Sequence, residues 1–222
     1  MPTLPVEAVK PHVCGVMLSH GRAEMKQFAI DAFWKQSYHH KSLLIWTNEA
    51  DKPIGELRNE ANDYARADIL IHWDDDDWSH PNRIAEQVAL IQASGADCVG
   101  YREMLFWREV EQEAWLYVND NPNWALGTSL CYWRKAWERR PFEAISHGED
   151  TAWLRGLKVA SISSLTSGNP KSVASQSAPP YMIARIHAGN AGNNAYNPEE
   201  MAKASEWQSV PAWDGFCREV FA

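Results

Sequence analysis

Four consecutive carboxylates, Asp74-Asp75-Asp76-Asp77, stand between two tryptophans, Trp73 and Trp78. Charges packed this closely repel one another, and in a partly dry cleft that repulsion raises their proton affinity unless a cation joins them. A hard divalent ion, Mg²⁺ or Mn²⁺, is the economical answer. Such ions take oxygen ligands and commonly use one or two protein carboxylates, with phosphate oxygens and water completing the shell. A solvated acidic turn is the plainer reading of an acidic run. The apolar strand before this run and the tryptophans on its flanks favour the metal.

The elements around the cluster say where it must lie. Ile69-Leu70-Ile71 reads as a buried strand that ends abruptly in the acids, and Pro81 opens a helix with apolar Ile84, Val88 and Ile91. The carboxylates therefore fall at the carboxyl end of a central strand, where open α/β sheets keep their ligand crevice. Upstream, Val13–Leu18 reads as a first strand ending in Ser19-His20-Gly21-Arg22, and Met25, Phe28, Ala29, Ala32 and Phe33 repeat with helical spacing. A second strand, Leu43–Trp46, makes a parallel crossover unit. Leu57, Ala61, Tyr64 and Ala65 then form the apolar stripe of a helix that carries Arg58 near its start. A guanidinium placed there can hold phosphate oxygens in bidentate fashion, although an exposed helix arginine explains the position equally well on periodicity alone.

The ordered combination from Gly55 through Ile84 resembles family 2 glycosyltransferases of the GT-A fold: an Arg-Asn pair on a helix (Arg58-Asn59), a strand, an Asp-x-Asp motif and a proline. The resemblance implies an α/β fold, a Rossmann-like mixed and mostly parallel sheet flanked by helices. It implies one domain over 1–222, with a nucleotide-sugar-binding half at about 12–95, an acceptor half at about 96–195 and a tail at about 196–222. The metal ligands it implies are Asp74, Asp76 and a late histidine, His187; the nucleotide-sugar contacts are Ser19, Arg22, Asn48, Arg58, Asp74 and Asp75. Gly148-Glu149-Asp150 before a helix resembles the family's acceptor-side acidic motif, so Asp150 is the candidate general base and Glu149 a candidate acceptor contact, while an ordinary helix cap remains open for Asp150. Trp124 either stacks on the acceptor or packs.

The remaining segments are read more coarsely. Helix Asn82–Ala93 closes at Ser94-Gly95; Asp97–Tyr101, Met104–Trp107 and Ala114–Val118 read as strands, the last two antiparallel around a turn at Glu109–Glu113. Asn119–Asn123 is a polar turn, Gly127–Arg134 resembles the family's acceptor-side strand, and Thr151–Leu157 reads as a helix. Serine-rich Ser161–Pro180 reads as either disordered surface or, the favoured reading, a lid; Tyr181–His187 reads as a last strand and Met201–Ala222 as a helical tail without functional signal.

Bulk properties narrow the classes. The 222 residues carry 29 acidic against 21 basic side chains, a net charge of −8, with 45% hydrophobic residues and no basic tract, which argues against non-specific nucleic-acid binding. Cys14, Cys98, Cys131 and Cys217 are far apart and form no Cys-x-x-Cys pair, so neither a zinc site nor a disulfide framework is expected. The first ten residues lack a basic start and an apolar core, and no run spans a bilayer, so a soluble, cytoplasmic protein is the expectation. Most of the 12 tryptophans are expected to pack.

The expected activity is Mn²⁺- or Mg²⁺-dependent transfer from a nucleotide-diphosphate sugar, a UDP-sugar first, to an acceptor hydroxyl. Three competing readings are a phage-type DNA glycosyltransferase acting on hydroxymethylated bases, a nucleotidyltransferase, and a non-catalytic sugar- or Ca²⁺-binding module. The missing Gly-rich phosphate loop near Val13–Arg22 counts against the second.

Overall fold

The computed structural model describes residues 10–19, 21, 23–47, 52–165, 179–188, 190 and 198–222. Its centre is three parallel strands: β1 (Val13–Ser19) lies between β2 (Lys41–Thr47) and β3 (Ile69–His72), with Val13 opposite both Lys41 and Ile69. Every residue of β3 is buried, which is why it reads as a continuous apolar run rather than an alternating one. β2 is the edge, and its residues are only half-buried or exposed.

Helices cover both faces. Between β1 and β2 runs α1 (Ala23–Trp34), which buries Ala29, Ala32 and Phe33; α2 (Ile54–Tyr64) precedes β3 and buries Leu57 and Ala61 together with Arg58 and Asn62. A two-residue strand β4 (Trp78–Ser79) follows the acidic loop and leads to α3 (Arg83–Ser94), whose Ile84, Val88 and Ile91 are buried as their spacing requires. Gly95 closes α3 in the left-handed conformation, φ 57°, where glycine is unstrained. One core forms where Phe33, Ile69, Ile71, Val88 and Ile91 meet; a second, on the opposite face, joins Val16, Leu70, Tyr132 and Trp153.

The middle of the chain departs from the sequence reading. Asp97–Tyr101 and Met104–Trp107 are not two strands but one, β5 (Cys98–Arg108), continuous through the polar Arg102-Glu103 step that interrupts the apolar pattern. A register shift between Tyr101 and Glu103 absorbs that step, and the Arg102 guanidinium is satisfied by the Ser161 carbonyl at 2.8 Å. β5 turns back into β6 (Glu113–Val118) as the hairpin reading requires. The expected strand at Gly127–Arg134 is instead a 3₁₀ turn (Gly127–Ser129), then β7 (Cys131–Trp133), antiparallel between β3 and β5, then α4 (Arg134–Arg139).

The helix expected from Thr151 begins two residues earlier, α5 (Glu149–Leu154), because Gly148 at φ 75° makes the sharp entry. Ser161 belongs to β8 (Val159–Ser163), which is parallel to β5, so the lid reading fails at its start; residues 166–178 lie outside the described residues. β9 (Met182–Ile186) lies within the strand expected at Tyr181–His187 and pairs with both β5 and β4, but it is not the last strand, because β10 follows it. The tail is not purely helical. Between α6 (Pro198–Lys203) and α7 (Asp214–Val220) it supplies β10 (Trp207–Ser209), which extends the sheet beyond β6, and a 3₁₀ turn (Pro211–Trp213). The result is a mixed sheet flanked by helices, its antiparallel pairings gathered around β6, β7, β10 and β4. All four cysteines are buried free thiols, and no helix among the described residues is long and apolar enough to cross a membrane.

Two contacts in this scaffold make measurable predictions. An added Cβ at Gly55 would fall inside the radius of the Glu143 carbonyl, which is backbone, whereas at Gly15 it would meet only side chains, the Phe33 ring edge at 2.6 Å and Leu43 Cδ1 at 3.1 Å. In urea unfolding, Gly55→Ala is expected to lose about 2–3 kcal/mol and Gly15→Ala less, because a ring can turn aside and a carbonyl cannot.

Glu86 on α3 accepts the Tyr101 hydroxyl at 3.1 Å, and burial pushes its carboxyl from an ordinary 4.5 up to about 7, against the pull of that hydrogen bond and of Arg83. A raised carboxyl favours the folded state fully below 4.5, and this contribution disappears as pH climbs through about 7. Wild-type stability measured across that window should fall with rising pH. Glu86→Gln should flatten the slope and exceed wild type at pH 8 by about 2 kcal/mol; an unchanged slope would remove Glu86 from the account.

Candidate active site

The acidic loop leaves β3 at His72 and is held first by Trp73. The Trp73 indole N–H donates to the Ala29 carbonyl at 2.9 Å, and its ring meets Phe33 edge-on at 5.1 Å, so the loop begins from a buried anchor on α1. The four carboxylates then separate in role. Asp77 is buried and doubly bonded, accepting the Thr128 hydroxyl at 2.5 Å and the Arg185 amide at 2.9 Å, which ties the loop to the 3₁₀ turn and to β9. Asp76 meets His187, Nε2 to Oδ2 at 2.9 Å, and Asn190 approaches the same oxygen at 3.5 Å. Asp75 is fully buried, while Asp74 is half-buried.

Their electrostatics follow from burial and crowding. Burial, then the charges of Asp76 and Asp74, hold the Asp77 carboxyl well above the ordinary carboxylate range. Burial also raises the Asp74 carboxyl; the Arg58 guanidinium opposes that rise, and Asp76 and Asp75 add to it.

Two arginines bracket the loop. Arg83 lies behind it, 1% exposed, with every face of its guanidinium engaged: Nη2 donates to the carbonyls of His72 (2.9 Å) and Thr128 (3.2 Å), Nη1 to Ser79 Oγ (2.9 Å), Nε to Gln87 (3.3 Å). The same group lies 5.0 Å from the Trp73 ring centroid. Arg58 lies on the other side, on α2. Its Nε donates to Glu149 Oε1 at 3.2 Å, and its Nη1 is buried without a hydrogen-bond partner among the described residues. Burial works against its charge, but Asp74, Glu149 and Asp150 nearby hold its pKa above the ordinary guanidinium value. A buried guanidinium with one donor unspent, among carboxylates that are themselves crowded, is a place for an anion bridged by a cation.

His72 and the 3₁₀ turn fix the distance between these parts. His72 Nδ1 reaches the Gly127 carbonyl at 2.6 Å; that oxygen only accepts, so Nδ1 carries the proton and Nε2 accepts from the Tyr132 hydroxyl at 3.2 Å. Tyr132 in turn receives Asn62 Nδ2 at 3.0 Å. Burial, with Arg58 and Arg83 close by, keeps the imidazole pKa well below its ordinary value, so it stays neutral. Asp150 abuts the same turn: its Oδ1 accepts the Thr151 amide at 2.6 Å, and its Oδ2 occupies the space where a Cβ on Gly127 would lie. Gly127 is glycine because that carboxylate needs the room.

The sequence-derived candidates can now be placed. Asp74, Arg58, Glu149 and Asp150 interact around one guanidinium. Glu149, expected among the acceptor contacts, is buried and committed to Arg58. Asp76 and His187 are brought together across 111 residues of sequence, but Asp74 is not gathered with them: among the described residues no three His, Cys, Asp or Glu side chains come close enough to hold an ion. The donor set present therefore fits an ion with one carboxylate and one imidazole from the protein, the mixed ligation Mn²⁺ accepts, and phosphate oxygens or water elsewhere. Ser19 ends β1 buried, its hydroxyl without a hydrogen-bond partner among the described residues. Trp124 is half-buried against Tyr117, ring centroids 5.7 Å apart, and packs on the second core. Arg22 and Asn48 lie outside the described residues.

Sequence reasoning passed over Arg83, His72, Gly127 and Thr128. Only Arg83 left a signal: with Gln87 it makes a polar i,i+4 pair directly beside the apolar stripe of α3. The tail was also undervalued, since Phe216 meets Trp78 edge-on at 5.8 Å and Phe221 lies 5.2 Å from the Arg185 guanidinium, bracing both flanks of the acidic loop.

Residues 34–139 match the family model described as Glycosyl transferase family 2. No curated protein matches the chain. Among solved structures, S. aureus TarS 1-349 in complex with UDP-GlcNAc aligns over 86% of this chain and 64% of its own, at 12% identity and TM-score 0.59. The same fragment in complex with UDP aligns over 79% and 60%, at 11% identity and TM-score 0.57. Mannosyltransferase PcManGT from Pyrobaculum calidifontis, in complex with GDP-Man and Mn2+, aligns over 96% and 69%, at 12% identity and TM-score 0.59. This chain thus spans less than two thirds of the TarS fragment it resembles. The acidic loop thus lies inside the segment that is similar to family 2 glycosyl transferases, and the chain shares the GT-A fold of these structures.

Proposed function

We propose that this chain transfers a sugar from a nucleotide-diphosphate sugar to an acceptor hydroxyl. The observation that carries the reading is the meeting of Asp76 and His187, 111 residues apart in sequence, at 2.9 Å beside the carboxyl end of β3. A Mn²⁺ or Mg²⁺ ion on that pair would neutralise the charge that develops on the leaving diphosphate. Arg58 offers its unspent Nη1 to the same phosphates, with Glu149 holding the guanidinium in place and Ser19 giving a hydroxyl at the end of β1. Asp74 and Asp75 border the sugar-phosphate, and Arg22 and Asn48 belong to the same donor side in this reading.

Asp150 is the proposed base: seated at the start of α5 against Gly127, it takes the acceptor proton if the reaction inverts the anomeric centre. In this reading 12–95 is the donor half, 96–195 the acceptor half and 196–222 a tail that braces both. The printed ligands of the neighbours support a nucleotide sugar but differ in base, one carrying UDP-GlcNAc and the other GDP-Man, so both donor series belong in the test.

The test is Mn²⁺-dependent release of nucleoside diphosphate from a panel of UDP- and GDP-sugars, wild type against Asp76→Ala. One donor is expected to be turned over, and the substitution should lower the rate on the order of 100-fold or more. Duplex DNA with hydroxymethyl bases enters as one acceptor among several, and pyrophosphate release from nucleoside triphosphates as a control for the nucleotidyl reaction. If calorimetry finds no metal-dependent binding of UDP or GDP, the proposal fails.

A further inference from the structure

A second concave site lies apart from the residues used above. Where β10 joins β6, a cavity of about 430 Å³ is walled by Glu103, Val118, Asn119, Asp120, Glu206 and Gln208, together with Ser205. Its frame is backbone: the Val118 amide donates to the Glu206 carbonyl at 2.8 Å, and the Asn119 amide to the Arg102 carbonyl at 3.0 Å. The Asn119 side chain is held by the Asn121 amide at 2.9 Å. The walls carry three carboxylates, from Glu103, Asp120 and Glu206, and no Lys, Arg or His.

Glu103 is what turns an acidic surface into a site. It is 5% exposed, and its Oε2 is buried without a hydrogen-bond partner among the described residues. A carboxylate oxygen withdrawn from water and left unbonded is unfavourable, and a positively charged donor would relieve it. Among the described residues no three acidic or His side chains converge closely enough to hold a metal ion by themselves. An ammonium group fits better: it has three N–H donors for carboxylates at different depths. The volume lies in the small-molecule range, Gln208 is placed to bond hydroxyls, and Val118 gives one apolar wall.

We propose that this cavity binds a small ammonium-bearing molecule of about monosaccharide size, its ammonium directed to Glu103. The site is separate from the Asp76–His187 site and does not rest on the transferase reading.

Calorimetry of the full chain tests it, with D-glucosamine, 1,4-diaminobutane, D-glucose and Ca²⁺ as probes at low ionic strength. Saturable binding of one of the amines is expected, with no heat from glucose; which amine binds distinguishes an amino sugar from a diamine. Glu103→Gln should weaken that binding roughly tenfold or more, the loss of a charge-assisted hydrogen bond. The exposed double variant Asp120→Asn/Glu206→Gln, which cannot disturb a core, should weaken it severalfold, while Asp76→Ala should bind as wild type does. Should Glu103→Gln fail to fold, the double variant decides. Absence of binding by both amines, equal binding of glucose, an amine affinity untouched by the substitutions, or Ca²⁺ binding in place of the amines would each overturn the proposal.

Discussion

Three of four adjacent aspartates, Asp75, Asp76 and Asp77, are buried at the end of the central strand, and everything near them is arranged to make that tolerable. Charges taken out of water are destabilising unless each finds a partner, and breaking one partner costs more than the pair gains. The chain answers with two buried guanidinium groups on opposite sides of the loop, Arg58 from α2 and Arg83 from α3. They differ in what they have left to give. Arg83 spends its donors on Ser79, Gln87 and two carbonyls, so it is a brace, whereas Arg58 keeps Nη1 without a partner among the described residues.

The division of labour among the carboxylates follows from the same constraint. Asp77, bonded to Thr128 and to the Arg185 amide, is a structural clip between the loop, the 3₁₀ turn and β9. Fixing Asp77 fixes β9, and β9 delivers His187 to Asp76. The turn Gly127–Ser129 does the equivalent work on the other side. It receives His72 and Arg83 on its carbonyls, seats Asp150 against Gly127, and gives Ser129 Oγ to the Tyr101 amide at 2.8 Å. Side chains of the acidic loop, α3 and α5 are thus referred to one short turn.

The sequence itself determined the local elements whose pattern is short-range. β3, α3 and its Gly95 terminus, the β1–α1–β2 unit and the β5–β6 hairpin all follow from periodicity and turn residues within a window of a dozen positions, because strand and helix faces repeat over that distance. The acidic loop was legible for the same reason, being four like charges against an apolar strand. Where a break in pattern was mended by tertiary contact, the reading failed: Arg102 interrupts β5 only until the Ser161 carbonyl is in place, and β10 has too few residues to announce itself without β6 beside it.

Only the tertiary structure decided which charges meet. Arg58 and Glu149 are 91 residues apart and Asp76 and His187 are 111 apart, so no local rule could pair them; the resemblance named all four but did not pair Arg58 with Glu149. Nor could it say which aspartate clips the fold and which faces the histidine, since four identical side chains in a row differ only in what the folded chain sets against them. That selection belongs to packing, because burial decides which charges must be compensated and the crossing of β3, β9 and the 3₁₀ turn decides by what.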